Sequence, residues 1–211
     1  MKISVALAAY NGEKYIGEQI ESILPQLGRD DEIVVSDDNP ASKTRAAVEF
    51  YSAYDGRVRY VEGTGEGVCR NFENAILNCS GDVIFLCDQD DVWLPNKVER
   101  VMKAIENGAD VVLHDAMMTD GELNVTDESF FSLNGSKRGF VRNFLKNSYM
   151  GCCMAFRRDF EPAFMPFPKN LAMHDWWIGL NAELKGKVEF IYEPLIKHRC
   201  HGGNVTGGKT T

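Results

Sequence analysis

The chain has 211 residues, of which 44% are hydrophobic and 26% charged, and its formal net charge is −8. A chain of this length and composition can bury a core of its own as one globular domain. The acidic balance argues against a dedicated nucleic-acid-binding protein, which normally presents a basic surface.

Two further features limit the class of protein. The apolar run near the start, residues 3–9, is far too short to cross a bilayer or to form the core of a secretion signal. The six cysteines contain no C-x-x-C pair and no spacing typical of metal ligands. We therefore expect reduced, mostly buried thiols in a cytoplasmic protein.

Strands and helices alternate in the first half of the chain. Apolar or alternating runs predict strands at residues 3–9, 32–36, 57–62, 82–87 and 110–114. Stretches with one apolar stripe predict helices over residues 16–27, from an N-cap at Ser42, over residues 68–79, and from Pro95 to Asn107. This order predicts an α/β fold with a mostly parallel central sheet and helices on both faces.

The second half of the chain is less regular. Residues 115–149 are predicted as loops and a short helix, and residues 150–156 and 188–199 as strands. Asp175 is predicted to head a helix over residues 176–184. No linker or internal repeat divides the chain, so we expect one domain over residues 1–211.

Polar segments follow three of the predicted strands directly: Tyr10-Asn11-Gly12, Asp37-Asp38-Asn39 and Asp88-Gln89-Asp90-Asp91. In open α/β sheets, ligands bind beyond the carboxyl ends of the strands. Each segment alone could be a solvated turn, because Asn, Asp and Gly favour turns. Three such segments on one rim indicate a binding site.

The Asp88-x-Asp90 pattern is the strongest of these signals. In an extended segment, residues two apart point the same way, so both carboxylates converge. Converging carboxylates repel each other unless a hard cation lies between them. The pattern therefore predicts bound Mg²⁺ or Mn²⁺, held together with substrate phosphates.

At this point the sequence resembles a known family. The strings that carry the resemblance are residues 4–12 (SVALAAYNG), 36–38 (SDD), 67–74 (GVCRNFEN), 87–95 (CDQDDVWLP), 174–177 (HDWW) and 201–205 (HGGNV). They resemble the family 2 glycosyltransferases, which have the GT-A fold, and most of all the bacterial rhamnosyltransferase-like members that build surface polysaccharides.

The resemblance implies an inverting glycosyltransferase that uses a UDP- or dTDP-activated sugar and a glycan or lipid-linked acceptor. Residues 1–114 would form the nucleotide-sugar-binding half and residues 115–211 the acceptor-binding half. The chain ends soon after His201, where relatives often continue. Either it is trimmed at its C-terminus or it lacks an acceptor lid.

The resemblance also implies roles for individual residues. The nucleotide-sugar-binding residues would be Ala8, Tyr10 and Glu13 around the base, Asp37 and Asp38 beside it, Arg70 and Asn71 at the phosphate or sugar, and Asp88 at the ribose. The metal ligands would be Asp88, Asp90 and His201. Two alternatives stay open, since Arg70 could be a solvated helix residue and His201 a loop histidine bonded to backbone.

Asp175 is the expected general base, and Trp176 and Trp177 would wall the acceptor site. Inverting transfer needs one base to deprotonate the acceptor hydroxyl. Asp175 could instead only cap its helix, but a capping position favours the ionised form that a base requires.

One departure from the family pattern stands in the second polar segment. Asn39-Pro40-Ala41 follows the aspartate pair, where relatives usually have Gly, so the geometry of the base pocket is expected to differ. Two other functions remain as alternatives. One is a nucleotidyltransferase, which would normally show a Gly- and Arg/Lys-rich loop after the first strand. The other is a catalytically idle nucleotide- or glycan-binding member of an assembly complex.

Charge is distributed unevenly along the chain. Residues 130–158 contain six Lys and Arg and no Asp or Glu, which gives +6 and leaves −14 for the rest. With its phenylalanines, this segment could contact the anionic inner face of the cell membrane or an acceptor diphosphate. The alternative is a solvated basic loop.

Overall fold

The computed structural model describes residues 1–202, so residues 203–205 of the family resemblance lie outside the described residues. The strands are β1 (Ile3–Ala9), β2 (Glu32–Asp37), β3 (Val58–Glu62), β4 (Val83–Asp88), β5 (Val92–Trp93), β6 (Val111–Thr119), β7 (Val125–Asp127), β8 (Met154–Arg157) and β9 (Val188–Arg199). The α-helices are α1 (Ile16–Ile23), α2 (Thr44–Tyr54), α3 (Val68–Asn78), α4 (Lys97–Glu106), α5 (Phe130–Asn134), α6 (Phe140–Leu145) and α7 (His174–Lys185). No helix in this part of the chain is both long and apolar enough to cross a membrane.

One sheet runs through the molecule in the order β3-β2-β1-β4-β8-β6-β9-β5, and β7 pairs with β6. Strands β3, β2, β1 and β4 are mutually parallel, as are β6 and β9. Strand β8 lies antiparallel between β4 and β6 and joins the two parallel groups. The predicted α/β fold with a mostly parallel sheet is confirmed.

The centre of the sheet is buried on both faces, as its sequence requires. Every residue of β1 is buried, which is why this strand reads as a continuous apolar run. Helix α1 covers the sheet with Ile16, Ile20 and Ile23, which recur at helical spacing and are fully buried.

Several predicted boundaries are wrong, each for a local reason. Helix α4 begins at Lys97 and not at Pro95, because Asn96 adopts a left-handed conformation (φ 73°) that ends the preceding turn. Helix α2 begins at Thr44, whose N–H donates to the Ser42 hydroxyl at 3.2 Å. Strand β6 continues to Thr119 because the long strand β9 pairs with it that far.

The predicted strand over residues 150–156 is shorter than expected. Gly151–Cys153 form a 3₁₀ turn, and β8 begins only at Met154. This turn carries the buried side chains of Cys152 and Cys153 toward the end of β4. It therefore brings the second half of the chain against the first near the rim of the sheet.

Glu32 is a buried anchor at the amino-end side of the sheet, away from this rim. Its carboxylate accepts hydrogen bonds from the hydroxyls of Ser4 (2.7 Å) and Ser80 (2.6 Å) and pairs with Arg59. Burial alone would raise its pKa, but these donors outweigh burial and lower the pKa to about 2.

We therefore expect Glu32→Gln to lower the free energy of unfolding by about 3 kcal/mol at pH 7, the equivalent of the difference between pKa 4.5 and about 2. Because the folded pKa is depressed, the contribution is present above pH 4.5 and is lost as the pH falls toward 2. Urea unfolding at pH 7 and pH 3 measures this. Exposed Glu99→Gln is the control, and equal stability of both variants at pH 7 would contradict the assignment.

Candidate functional site

Three loops meet at the carboxyl ends of β1, β2 and β4. The register places Ala8 of β1 beside both Ser36 of β2 and Asp88 of β4. The segments that follow these strands therefore emerge side by side. The predicted rim exists, and it holds most of the predicted site residues.

The loop after β1 is held by Gln89. The side-chain amide of Gln89 donates to the Tyr10 carbonyl at 2.9 Å and accepts from the Tyr10 N–H at 2.8 Å. A Cβ on Gly12 would lie 2.1 Å from Gln89 Oε1, so a larger residue at that position would displace the Gln89 side chain from these contacts. These two hydrogen bonds hold the backbone of Tyr10. The Tyr10 side chain remains 58% exposed on the rim, where a planar ligand could stack on it.

The two aspartates after β2 have different environments. Asp37 is buried and accepts from the Tyr60 hydroxyl at 3.2 Å, and burial raises its pKa. Asp38 accepts from the N–H groups of Gly65 and Gly67, at 2.7 and 2.8 Å, and so orders the loop before α3.

The departure at Asn39 has a structural counterpart. Its amide donates to Asn11 Oδ1 at 2.8 Å, which links the loops after β1 and β2 across the rim. Nearby, Glu13 accepts from the Thr44 hydroxyl at 3.3 Å at the start of α2. Asn at this position therefore supplies a contact that glycine could not make.

Helix α3 contributes Arg70 and Asn71, and both side chains are engaged by protein groups. Asn71 is buried and donates to the carbonyls of Ala9 and Ser36, at 2.9 Å each, so it ties the ends of β1 and β2 together. Arg70 pairs with Glu73 and donates to the carbonyls of residues 167 and 168. These contacts favour a bracing role for both residues.

Two carboxylate–imidazole pairs follow β4. Asp90 Oδ2 lies 2.8 Å from His201 Nε2, and Asp91 Oδ1 lies 2.9 Å from His198 Nδ1. Consecutive aspartates thus meet histidines three residues apart at the end of β9. No motif or spacing points to His198, because its partner Asp91 is 107 positions away.

The acidic residues of this rim are electrostatically strained. Burial, and then the charges of Asp91 and Asp90, raise the pKa of Asp88 to about 8. Burial and Asp91 also raise the pKa of Asp90. Among residues 1–202 the Asp88 carboxylate has no hydrogen-bond partner. Such a set is unfavourable by itself and is stabilised by positive charge.

The ligand types at this rim suit a hard divalent cation, but among residues 1–202 the one group of three whose ligand atoms lie within 4.8 Å of one another is Asp91, Cys152 and His198. Asp88, Asp90 and His201 offer oxygen and imidazole ligands of the kind that Mg²⁺ or Mn²⁺ accepts. Arg199, which sequence reasoning missed, supports them: its guanidinium donates to the Asp90 carbonyl at 2.8 Å. Arg199 also lies 4.6 Å from the centroid of the Tyr15 ring, which stacks on His201 at 5.0 Å.

Asp175 lies in the first turn of α7 with 7% of its surface exposed. Its Oδ1 accepts from the Trp176 N–H at 2.6 Å. Burial raises the pKa of Asp175 to about 6, although backbone donors at Trp176 and Gly151 oppose the rise. Its charge also raises the pKa of Asp88, so the two carboxylates act on each other. A carboxylate tuned toward neutrality beside a binding rim is suited to proton transfer.

The two tryptophans after Asp175 are anchored through their indole N–H groups. Trp176 donates to the Asn143 carbonyl at 2.6 Å, and Trp177 donates to the Phe164 carbonyl at 2.8 Å. Both side chains are partly exposed. Trp176 faces Phe144 of α6, with ring centroids 6.3 Å apart, so α6 borders the Asp175 side of the site.

Sequence comparison identifies a family. The sequence model of "Glycosyl transferase family 2" matches residues 4–162. A glycosyltransferase of Nostoc sp. is 26% identical, over 97% of this chain and 66% of its own length. The dTDP-rhamnosyl transferase RfbG of Shigella flexneri is 25% identical, over 95% of this chain and 73% of its own length.

Solved structures agree on the fold. Staphylococcus aureus TarS in complex with UDP-GlcNAc superposes with a TM-score of 0.76 at 20% identity, over 97% of this chain and 60% of that one. The mannosyltransferase PcManGT of Pyrobaculum calidifontis, in complex with GDP-Man and Mn²⁺, gives 0.67 at 17% identity, over 91% and 54%. This chain therefore has the GT-A fold, and it spans about two thirds of the Nostoc relative and less of these structures.

Proposed function

Because the chain belongs to glycosyl transferase family 2, we propose that it transfers a sugar, with inversion, from a UDP- or dTDP-activated donor to a glycan or lipid-linked acceptor in bacterial surface polysaccharide synthesis. The observation that carries the proposal is that two acidic groups in different environments lie within electrostatic reach of each other, since the Asp175 charge adds to burial, Asp91 and Asp90 in raising the pKa of Asp88. One is the rim of Asp88 and Asp90 beside His201, and the other is buried Asp175. The first suits a diphosphate with its cation, and the second suits a base.

The donor would lie across the ends of β1, β2 and β4, within residues 1–114. Tyr10 would contact the nucleobase with the face or the edge of its ring. The residues around the base would be Ala8, Glu13, Asp37 and Asp38. Gln89 would hold the loop that carries Tyr10. Arg70 and Asn71 would support the phosphate side. The choice of UDP or dTDP rests on two relatives, TarS bound to UDP-GlcNAc and RfbG, named a dTDP-rhamnosyl transferase.

Asp88, Asp90 and His201 would hold Mg²⁺ or Mn²⁺, which when bound stabilises the charge of the departing diphosphate. Mn²⁺ accompanies GDP-Man in PcManGT, which supports this assignment. Without it, the acidic rim would repel the nucleotide.

Asp175 would act on the acceptor in the half formed by residues 115–211, beside Trp176 and Trp177. As the acceptor oxygen bonds to the anomeric carbon, the bond from that carbon to the diphosphate oxygen breaks. The acceptor's hydroxyl proton passes to the Asp175 carboxylate. Attack from the face opposite the leaving group inverts the anomeric centre.

Donor cleavage tests this proposal without knowledge of the acceptor, since water can take its place. The protein is incubated with UDP- and dTDP-sugars and Mn²⁺, and the first sugar released is followed by NMR. We expect it to carry the anomeric configuration opposite to that of the donor. Retained configuration would refute inversion, formation of UTP or dTTP together with sugar 1-phosphate after addition of pyrophosphate would indicate a nucleotidyltransferase, and binding without cleavage in the presence of acceptor glycans would indicate an idle binding protein.

We further propose that the surface around α6 contacts an anionic membrane. Leu133, Val141, Phe144 and Leu145 are between 57% and 80% exposed. Exposed basic side chains surround them at Lys137, Arg138, Arg142 and Lys146, and within residues 1–202 none of these four forms an ion pair. Apolar side chains in a basic surround are typical of peripheral membrane contact, and this surface borders the acceptor side.

We expect the triple variant Lys137→Gln, Arg138→Gln, Arg142→Gln to bind anionic liposomes on the order of 100-fold more weakly, at about 1 kcal/mol for each charge. Sedimentation with phosphatidylglycerol vesicles measures this. The matched control, Arg100→Gln, Lys103→Gln, Lys187→Gln, removes the same charge from another surface. Equal binding by both triple variants would contradict a specific membrane surface.

A further inference from the structure

The inner carboxylate–imidazole pair lies against a thiol. Cys152 Sγ is 3.8 Å from His198 Nδ1, and the ligand atoms of Asp91, Cys152 and His198 all lie within 4.8 Å of one another. All three side chains are buried, at 8% exposure or less. They come from three segments: the loop after β4, the 3₁₀ turn before β8, and the end of β9.

One polar atom in this cluster lacks a partner. Asp91 Oδ1 accepts from the Arg199 N–H and from His198, whereas buried Asp91 Oδ2 has no hydrogen bond within residues 1–202. A buried carboxylate oxygen left unsatisfied costs free energy and calls for a ligand.

The arrangement does not fit a nucleophile relay. In such a relay the thiol and the carboxylate contact opposite nitrogens of the imidazole. Here Asp91 and Cys152 both approach Nδ1 of His198. Three ligand atoms that face one point are instead the geometry of a metal site.

We propose that Asp91, Cys152 and His198 form a second cation site, distinct from the Asp90–His201 site, that takes a thiolate-preferring divalent ion of the zinc type. A carboxylate, an imidazole and a thiolate together suit Zn²⁺, whereas Mg²⁺ prefers oxygen ligands alone. Tetrahedral Zn²⁺ sites separate nitrogen and sulfur ligands by a little under 4 Å, given bonds of about 2.0 and 2.3 Å. The 3.8 Å between Cys152 Sγ and His198 Nδ1 is close to this separation.

Buried Lys97 donates to the Cys152 carbonyl at 2.8 Å and so fixes the turn that carries the thiol. The hydrogen bond with Cys153, and then burial, raise the pKa of Cys152, and against the effect of burial Asp91 raises the pKa of His198 to about 10, so a metal ion has to displace a proton from each. Loading releases the protons of the thiol and the imidazole in exchange for one divalent ion, as metal binding to such ligands generally does. The bound ion would join β9 and the turn before β8 to the loop after β4, directly beneath the donor rim.

Cobalt reports on this site independently of catalysis. Because the ligands are buried, the protein is expressed in minimal medium with CoCl₂ in place of zinc, so that the ion enters during folding. We expect one cobalt per chain and a thiolate-to-cobalt charge-transfer band in the near ultraviolet. Cys152→Ser should lose the band and His198→Gln should weaken it.

Two controls separate this site from its surroundings. Cys153→Ser removes a neighbouring buried thiol, and Asp90→Asn removes an outer ligand; both should keep the band. Wild-type protein from zinc-supplemented medium should hold one zinc per chain, which needs no variant to fold. Absence of both the band and the zinc in wild-type protein, or persistence of the band in Cys152→Ser, would overturn the proposal. The cobalt band and the zinc content do not depend on glycosyl transfer. Failure of the proposed zinc site is therefore distinguishable from failure of the proposed transferase function.

Discussion

Asp175→Asn is expected to lower the turnover of glycosyl transfer by a factor on the order of 10³, because general-base catalysis contributes about 10² to 10⁴. Asn keeps the shape of the side chain and can still accept from the Trp176 N–H. It cannot accept the acceptor's proton. Donor affinity should therefore stay within about twofold, since Asp175 does not hold the donor. Initial rates and calorimetry on the same preparation separate the two quantities.

The pH dependence of turnover tests whether Asp175 is the general base. Burial raises its pKa to about 6, and a base works only when ionised. Wild-type turnover should therefore be constant at neutral pH and fall tenfold for each pH unit below about 6. The residual rate of Asp175→Asn should lack this acid limb. A wild-type rate that is constant down to pH 4 would exclude Asp175 as the base.

A measurement of stability distinguishes a loss of activity in Asp175→Asn from a loss of folding. A carboxyl whose folded pKa is raised destabilises the protein once the pH passes its unfolded pKa of 3.8, and the full cost is reached above about 6. That rise corresponds to about 3 kcal/mol. Relative to wild type, Asp175→Asn should thus gain stability between pH 4 and pH 8. Exposed Asp30→Asn, the control, should change neither activity nor this difference.

Asp90→Asn is expected to weaken Mn²⁺-dependent nucleotide binding by at least about 100-fold, since even indirect supports of metal ligands are worth 10- to 100-fold. Asp90 pairs with His201 at 2.8 Å and shares the rim with Asp88. Without metal, the same variant should bind UDP or dTDP slightly better than wild type, because one repelling charge is gone. Calorimetry with and without Mn²⁺ measures both effects.

Weaker nucleotide binding with Mn²⁺ and stronger binding without it together distinguish the loss of a metal ligand from misfolding. A variant that is merely misfolded would bind nucleotide more weakly under both conditions. Asp30→Asn should keep the wild-type response to Mn²⁺. If Asp90→Asn retained full Mn²⁺ dependence, the assignment of Asp90 as a metal ligand would be wrong.

The fold could be predicted from the sequence because its signals are local. Strand β1 is a continuous apolar run, α1 shows one apolar stripe, and the polar segments directly follow their strands. Boundaries set by distant partners could not be predicted. Strand β6 extends to Thr119 only because β9, which lies some 70 residues later, pairs with it.

The same distinction applies to the site. Residues identified from the sequence stand in short strings, such as Asp88-x-Asp90 and Asp175 before the two tryptophans. Gln89, His198 and Arg199 act through partners 79 to 109 positions away, so no spacing reveals them. Cys152 lies 46 positions from His198, which it approaches at 3.8 Å, so cysteine spacing could not reveal this proximity either.

The most direct test of the central claim is calorimetric titration of the wild-type protein with UDP, dTDP and GDP, with and without Mn²⁺. The acidic rim of Asp88 and Asp90 predicts binding of UDP or dTDP that is strong with Mn²⁺ and nearly absent without it. Binding of equal strength in both conditions, or no binding of any nucleotide, would contradict a cation-dependent nucleotide-sugar site at this rim.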